Sequence, residues 1–198
     1  MADHYYSEHP QSDFTTETWN YTLNGQLFTF TSGTGVFSKG KVDFGSALLI
    51  ETFSEPNVEG ELLDLGCGYG PIGISLAYKY PNRKMVMVDV NERAVELATH
   101  NVRQNQLSNV TVMQSDGFSR IDRRAFAAIV MNPPIRIGKQ KVYSFFERSK
   151  LALVPSGELW VVIQKKQGAP SAINYLASLF HHVDIIQRKK GYFIIRAK

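Results

Sequence analysis

The chain has 198 residues, of which 43% are hydrophobic and 20% are charged, with 22 Lys and Arg against 18 Asp and Glu for a formal net charge of +4. These values are ordinary for one folded α/β domain and argue against a disordered or fibrous protein. No apolar run reaches the roughly 18 residues of a membrane helix, and the polar segment 1–13 lacks the pattern of a secretory signal. We therefore expect a cytoplasmic protein.

Cysteine and histidine usage gives no sign of a disulfide or a metal site. The only cysteine, Cys67, has no internal partner for a disulfide, and the five His residues show no metal-ligand spacing. We assign no metal.

The N-terminal part of the chain predicts a β-hairpin and then a helix. Apolar and polar residues alternate from Trp19 to Thr31 on either side of Asn24-Gly25, a pair that favours a tight turn with positive φ at both residues. Asp43 is a suitable N-cap for a helix that runs through Phe53. We expect these elements to form an extension of the main domain.

Beyond this extension, apolar strands alternate with helical stretches, which is typical of βαβ units and a mostly parallel, doubly wound sheet. A final pair of strands is joined by a turn too short for a parallel crossover, so the sheet should close with an antiparallel hairpin. We place the extension at 1–56 and the main domain at 57–198. The predicted strands are Leu62–Leu65, Met85–Asp89, Val110–Gln114, Ala127–Met131, Leu159–Ile163, Val183–Gln187 and Tyr192–Arg196, and the helices are Ile72–Tyr80, Arg93–Gln104, Val142–Leu153 and Ala172–Phe180.

A glycine motif follows the first strand of the main domain, in the sequence Leu-Leu-Asp-Leu-Gly-Cys-Gly-Tyr-Gly. Ligands of open α/β sheets bind at the carboxyl ends of strands, and glycine lets the backbone approach a ligand closely. The spacing of Gly66, Gly68 and Gly70 differs from the Gly-x-Gly-x-x-Gly that cradles a dinucleotide pyrophosphate. An ordinary tight turn between strand and helix is the alternative interpretation.

Three aspartates strengthen the case for a nucleoside-containing ligand. Asp64 stands two residues before the first glycine, where a carboxylate can reach the amino group of a bound amino acid. Asp89 ends the next strand, at the distance where an acidic residue accepts hydrogen bonds from ribose hydroxyls. Asp116 follows the third strand and is placed to accept from an adenine amine, or else serves as a loop aspartate. S-adenosylmethionine, which has no pyrophosphate, fits this set better than NAD.

The segment Asn132-Pro133-Pro134 follows another buried strand and predicts a stiff polar tip, because each proline fixes φ and removes a backbone donor. The Asn132 side-chain oxygen and the Pro133 carbonyl are then two acceptors that can hold one amino group. Alignment of that group with an electrophilic methyl lowers the activation barrier by up to about 7–11 kcal/mol in the best-oriented cases. No separate general base is required. A loop that simply ends the strand is the alternative.

Residues 62–70, Asp89, Asp116 and 132–135 resemble the successive motifs of class I S-adenosylmethionine-dependent methyltransferases. Residues 35–38, 42–46 and 132–136 are more narrowly similar to the small-domain methyltransferase (MTS) family, which includes bacterial 16S rRNA guanine-N2 methyltransferases. The resemblance covers the chain from about Trp19 onward. It implies a Rossmann-like seven-stranded sheet, S-adenosyl-L-methionine as donor, and RNA as acceptor, either ribosomal RNA or the small ribosomal subunit. The better known ribosomal members carry two such domains, one of them degenerate, which leaves substrate choice open for this chain.

Acceptor binding is expected at the Asn-Pro-Pro tip and around it. Many methyltransferases of this type have an aromatic residue after the second proline, but here it is Ile135, so we expect Arg136 or Phe37 to stack on the base. Basic residues near the tip suit phosphate contacts, and RNA affinity should fall steeply with salt. The predicted acceptor-binding residues are Phe37, Pro134, Ile135, Arg136, Lys139 and Lys141, with Lys165 and Lys166 at the same rim; further basic groups are Arg120, Arg123, Arg124 and Arg188–Lys190.

Other functions are compatible with parts of the pattern. Asn-Pro-Pro enzymes also methylate protein glutamine and adenine N6, since both present the same kind of amino group. An NAD-linked oxidoreductase is disfavoured by the glycine spacing and by the lack of a Tyr-x-x-x-Lys or His-Asp arrangement. A non-catalytic binding module is disfavoured by the presence of both Asp64 and Asn132.

Overall fold

The computed structural model describes residues 14–38, 40–121 and 126–198, and the side chain of Ile135 is outside that description. The expectations for segment 1–13 and for Arg123 and Arg124 concern residues outside these ranges. In the described part of the chain, no helix is long and apolar enough to cross a membrane.

The N-terminal hairpin is confirmed and forms a two-stranded antiparallel sheet of its own, from β1 (Thr16–Leu23) and β2 (Gln26–Gly33). Asn24 and Gly25 have φ values of 50° and 79°, as a two-residue turn with positive φ at both positions requires. The hairpin is followed by helix α1 (Phe44–Thr52), whose N-cap is Asp43, as predicted.

The main sheet has seven strands in the order β5-β4-β3-β6-β7-β9-β8, which confirms the fold class. Five neighbouring strands run parallel, and β9 is antiparallel to both of its neighbours. The strands are β3 (Glu61–Leu65), β4 (Met85–Asp89), β5 (Val110–Gln114), β6 (Phe126–Met131), β7 (Leu153–Gln164), β8 (Val183–Lys189) and β9 (Tyr192–Ala197), and the other helices are α2 (Pro71–Lys79), α3 (Glu92–Gln104), α4 (Lys139–Ala152) and α5 (Ala169–Leu179).

Strand β7 is longer at its start than the sequence predicts. It begins at Leu153, directly after α4, whereas the predicted strand begins at Leu159. The added residues contain an irregularity in strand pairing, because Phe126 pairs with Leu153 and Ala128 already pairs with Glu158. Ser156 takes a positive φ of 61° there.

The strand order reverses at β3, which lies between β4 and β6. Asp64 of β3 pairs with Met87 on one side and Val130 on the other, so β3 and β6 end at the same edge of the sheet. The glycine turn after β3 and the Asn-Pro-Pro tip after β6 are therefore neighbours. This is the switch point at which open α/β sheets bind ligands.

Alternate residues of a strand point to opposite faces of the sheet, and here both faces are buried. Leu62 belongs to one buried cluster and Leu63 to another. The first cluster also contains Phe30 of the hairpin, Phe53 after α1 and Trp160 of β7, with the Phe53 and Trp160 ring centroids 5.2 Å apart. Residues of the predicted extension 1–56 thus share a core with the main sheet.

Two amide side chains of α3 hydrogen-bond to the backbone of hairpin strand β2, as the edge of a neighbouring strand would. Asn101 is fully buried; its Oδ1 accepts from the Thr31 amide at 2.7 Å, and its Nδ2 donates to the Thr31 and Tyr69 carbonyls, each at 2.8 Å. One turn later, Asn105 makes the same pair of bonds with the backbone of Thr29. These bonds fix the hairpin, and the loop after it, over the glycine turn.

Candidate active site

A cavity of about 900 Å³ opens at the carboxyl edge of the sheet, over the switch point. Its walls are the glycine turn, the ends of β4 and β6, the loop after the N-terminal hairpin and the first turn of α1. The predicted site residues that line it are Phe37, Gly66, Gly68, Asp89, Asp116, Asn132, Pro133, Pro134, Arg136 and Lys141.

Two glycines keep the floor of this cavity open. Gly66 and Gly68 have positive φ values of 78° and 57°, and a Cβ on either would meet no atom within 4 Å. Gly70 has a different reason to be glycine, because a Cβ there would lie 2.7 Å from the Met87 Cε. The first two glycines leave room for a ligand against the backbone, and the third allows α2 to pack on the sheet.

Asp64 lies under the glycine turn and not in the cavity wall. Its Oδ2 accepts a hydrogen bond from the Gly73 amide at 2.8 Å, and its Oδ1 has no partner among the described residues. Burial raises the pKa of the Asp64 carboxyl from 3.8 to about 7; the Gly73 bond opposes this shift, and nearby Asp89 adds to it. An unpartnered buried carboxylate oxygen beside the cavity suits a ligand that carries positive charge.

Asp89 ends β4 at the cavity, where the Gly68 amide donates to its Oδ2 at 2.8 Å and the Asn91 amide to its Oδ1 at 2.9 Å. Burial raises the pKa of this carboxyl, and these backbone hydrogen bonds act in the opposite direction. The two bonds fix the orientation of the carboxylate, and each oxygen retains a lone pair for a ligand hydroxyl.

Asp116 is an exposed residue that lines the cavity and forms an ion pair with Lys141, with 2.8 Å between Lys141 Nζ and Asp116 Oδ1. Lys141, which the sequence assigned to acceptor phosphates, therefore contacts a residue assigned to the cofactor. Lys139 does not line the cavity; its Nζ lies 5.2 Å from the centre of the Tyr143 ring.

Asn132 is held by two residues from the start of α1. Its Nδ2 donates to Ser46 Oγ at 3.0 Å and approaches the two oxygens of Asp43 at 3.3 and 3.4 Å. Since an ionised carboxylate only accepts hydrogen bonds, the amide nitrogen must face Asp43 and the amide oxygen must face away. The Asn132 oxygen is thus a fixed acceptor without a donor among the described residues.

Sequence reasoning missed several residues of the cavity wall, among them Ser46, Gln167 and Tyr192. Asp43 and Ser46 are three residues apart at the start of a predicted helix. This spacing places both side chains on the same side of the first turn, and it could have predicted that they contact the same group. Tyr192 and Gln167 carry no local signal, because only the pairing of β9 with β7 brings them to this edge.

Comparisons with known proteins agree with this geometry. The model of the family described as methyltransferase small domain matches residues 27–196. The chain belongs to this family. It is a methyltransferase that uses S-adenosylmethionine, and the open glycine floor, the buried carboxylate and the oriented Asp89 fit that cofactor.

Two of its sequence relatives and one similar solved structure illustrate the comparison. The chain is 57% identical over 199 residues to the uncharacterized protein YbxB of Bacillus subtilis, covering 100% of this chain and 99% of the relative. It is 37% identical over 142 residues to the ribosomal RNA small subunit methyltransferase C of Mannheimia succiniciproducens, covering 70% of this chain and 41% of the relative.

The solved structure is that of the T. thermophilus 16S rRNA N2 G1207 methyltransferase in complex with AdoMet and guanosine. It superposes with a TM-score of 0.81 at 25% identity, over 96% of this chain and 52% of that one. The chain thus spans about half, or less, of the length of these two ribosomal RNA methyltransferases.

Proposed function

We propose that this protein transfers a methyl group from S-adenosylmethionine to an exocyclic amine of RNA, specifically N2 of a guanine in ribosomal RNA. The observation that carries the proposal is the fixed orientation of the Asn132 amide, which leaves its oxygen as an acceptor at the cavity. The names of the ribosomal RNA methyltransferases that it resembles support the choice of acceptor.

The cofactor is proposed to lie along the glycine turn, with the open faces of Gly66 and Gly68 beneath it and Gly70 supporting the turn. Asp89 accepts from the ribose hydroxyls, and Asp116 from the adenine amine. Asp64 acts from below the turn on the positively charged end of the molecule. Lys141 fixes the Asp116 carboxylate, to which it is ion-paired.

On the acceptor side, the Asn132 oxygen and the Pro133 carbonyl accept the two hydrogens of one amino group. When bound, S-adenosylmethionine supplies an electrophilic methyl group. With both hydrogens held, the nitrogen lone pair is directed at that methyl, and the gain comes from orientation. A primary amine loses its proton after transfer, so the site needs no general base.

The test is methyl transfer from labelled S-adenosylmethionine to naked ribosomal RNA and to small ribosomal subunits, both prepared from a strain that lacks this protein. The labelled nucleoside is identified by mass spectrometry. We expect label in N2-methylguanosine, and loss of that label with Asn132→Ala.

The control is cofactor affinity, which Asn132→Ala should leave close to that of the wild type. Label in another nucleoside would overturn the guanine N2 assignment. No label in either RNA, from protein that binds the cofactor, would overturn RNA as the acceptor and direct attention to protein glutamine.

A further inference from the structure

The tip of the β8–β9 hairpin lies at the same edge of the sheet as the cavity. Strand β9 runs antiparallel to β7, and its first residue, Tyr192, pairs with Gln164 at the end of β7. The Lys165 amide donates to the Gly191 carbonyl at 2.7 Å, which joins the turn after β7 to the hairpin tip. We call residues 165–167 and 188–192 together the hairpin rim.

The hairpin rim is strongly cationic. Residues 164–170 and 185–195 contain no Asp or Glu, and within the described ranges no salt bridge neutralises the cations of the rim. Two of these cations lie over aromatic rings, with Arg188 5.0 Å from the centre of the Phe193 ring and Lys190 4.9 Å from that of Phe44. The exposed cations are Lys165, Lys166, Arg188, Lys189 and Lys190.

Tyr192 connects the hairpin rim to the reacting end of the cavity. The half-buried Tyr192 ring lines the cavity and packs directly on the backbone of Gly45, where a Cβ would lie 2.9 Å from its Cε1. Phe44 packs beside it, with ring centroids 5.5 Å apart. Gly45 donates its amide to Asp43, the residue that orients Asn132. The ring thus belongs to the wall that carries the amine-binding group.

We propose that the hairpin rim is the RNA-docking surface of this enzyme, with Tyr192 as the ring on which the acceptor base stacks and the rim cations as ligands of the flanking phosphates. This inference rests on the proposed function. It supplies the aromatic residue that Ile135 does not provide after the Asn-Pro-Pro tip. It also accounts for a row of unneutralised cations that begins next to that ring.

Chemistry favours a nucleic acid over a protein at this surface. Nucleobases stack on aromatic rings, and each stacked base contributes about 1–3 kcal/mol. Cations near the ring can neutralise the phosphates that flank a stacked base, and Lys190 lies over the Phe44 ring, which packs beside Tyr192. A glutamine side chain needs neither feature.

The stacking step is tested with Tyr192→Leu and Tyr192→Phe, measured by steady-state methylation of RNA. We expect Tyr192→Leu to raise the KM for RNA roughly 5- to 150-fold and Tyr192→Phe to stay near the wild type. Tyr78→Leu is the matched control, because Tyr78 is 47% exposed, lies outside the cavity and packs on Phe28. Affinity for S-adenosylmethionine should be unchanged in all three variants, which shows that they are folded.

The docking step is tested with Lys189→Gln/Lys190→Gln, measured as RNA affinity against salt concentration. Each phosphate contact that is lost reduces the magnitude of the slope of log affinity against log salt by about 0.7–0.9. The double substitution should therefore reduce it by about 1.5. The matched control is Lys84→Gln/Arg103→Gln, which removes two exposed cations near the opposite edge of the sheet.

The outcomes separate this inference from the proposed function. If the wild type methylates RNA while Tyr192→Leu and the lysine pair behave like their controls, the docking surface is wrong and the function stands. A loss of RNA binding with Phe37→Leu, and none with Tyr192→Leu, would place the stacking ring on the other loop and also refute the inference. If the wild type transfers no methyl to RNA, the function fails, and the docking surface fails with it.

Discussion

The carboxylate of Asp43 caps the N-terminus of helix α1 and also orients the amide of Asn132, which is 89 residues away in the sequence. Its Oδ1 accepts from the amides of Gly45 and Ser46 at 3.0 and 3.2 Å. The same carboxylate accepts from Asn132 Nδ2. A helix N-cap in the predicted extension is therefore part of the candidate active site in the main domain.

Asp43→Asn should lower kcat while leaving the fold and the cofactor affinity intact. Asparagine also caps helices, but its Nδ2 opposes the Nδ2 of Asn132, which favours the reversed amide. Loss of a hydrogen bond to a charged group, at about 1.5–3 kcal/mol, corresponds to a decrease in kcat of roughly 10- to 150-fold. Steady-state kinetics, thermal unfolding and cofactor titration check this result.

Combining Asp43→Asn with Asn132→Ala provides the control. If Asp43 acts through Asn132, the double variant should be no slower than Asn132→Ala alone, because the two residues work as a unit. Additive losses would contradict a positioning role.

Ser46→Ala should also lower kcat, but by a smaller factor than Asp43→Asn. It removes the 3.0 Å contact to Asn132 Nδ2 and leaves the Asp43 cap in place. A neutral hydrogen bond contributes about 0.5–1.5 kcal/mol, so kcat should fall by roughly 2- to 12-fold. An effect larger than that of Asp43→Asn would show that the hydroxyl, and not the carboxylate, orients the amide.

Substitutions in the glycine turn should separate binding from folding. In Gly68→Ala the new methyl meets no atom, so the cofactor-free protein loses only about 1–2 kcal/mol to the positive φ, while the methyl occupies the cavity floor and weakens cofactor binding. In Gly70→Ala the methyl collides with Met87 and Ile74, so stability should fall further. Chemical denaturation and cofactor titration of both variants test this order.

Asp64→Asn should change stability by an amount that depends on pH. The pKa of Asp64 is about 7 in the folded protein and near 3.8 in the unfolded chain, so the folded state binds the extra proton and stability falls as pH rises through this window. At about 1.4 kcal/mol per unit, the fully ionised group lowers the free energy of unfolding by about 4 kcal/mol.

The amide that Asp64→Asn introduces escapes this penalty but leaves a buried donor unpaired, at about 1–3 kcal/mol. We therefore expect the cofactor-free variant to be more stable than the wild type near pH 8 by about 1–3 kcal/mol, and nearly equal to it near pH 5. Urea unfolding at both pH values is the measurement. A constant difference would mean that Asp64 does not titrate between them.

Asn101→Ala should detach the N-terminal hairpin from α3. The substitution leaves the Thr31 amide and carbonyl and the Tyr69 carbonyl without partners in a buried place, so we expect a loss of about 3–5 kcal/mol. Asn105→Ala, whose bonds are only partly buried, should lose less. Hydrogen exchange of the Thr31 amide reports the detachment directly.

Much of the fold could be predicted from the sequence because it depends on local patterns. The turn at Asn24-Gly25, the cap at Asp43 and the apolar strands before Gly66 and Asn132 each depend on neighbours in the chain, so their prediction succeeded. The extension at 1–56 was harder to define, because the partners of its buried residues lie in α3 and β7.

Local sequence patterns predict the cofactor and the type of reaction, because the glycine turn, Asp89 and the Asn-Pro-Pro tip each stand at the end of a recognisable strand. The groups that surround the Asn132 amide are set by contacts between distant parts of the chain. Helix packing brings Asp43 and Ser46 to this amide, and strand pairing brings Tyr192 to the wall of the same cavity. Contacts between distant residues depend on the packing of the whole core, which no local pattern encodes.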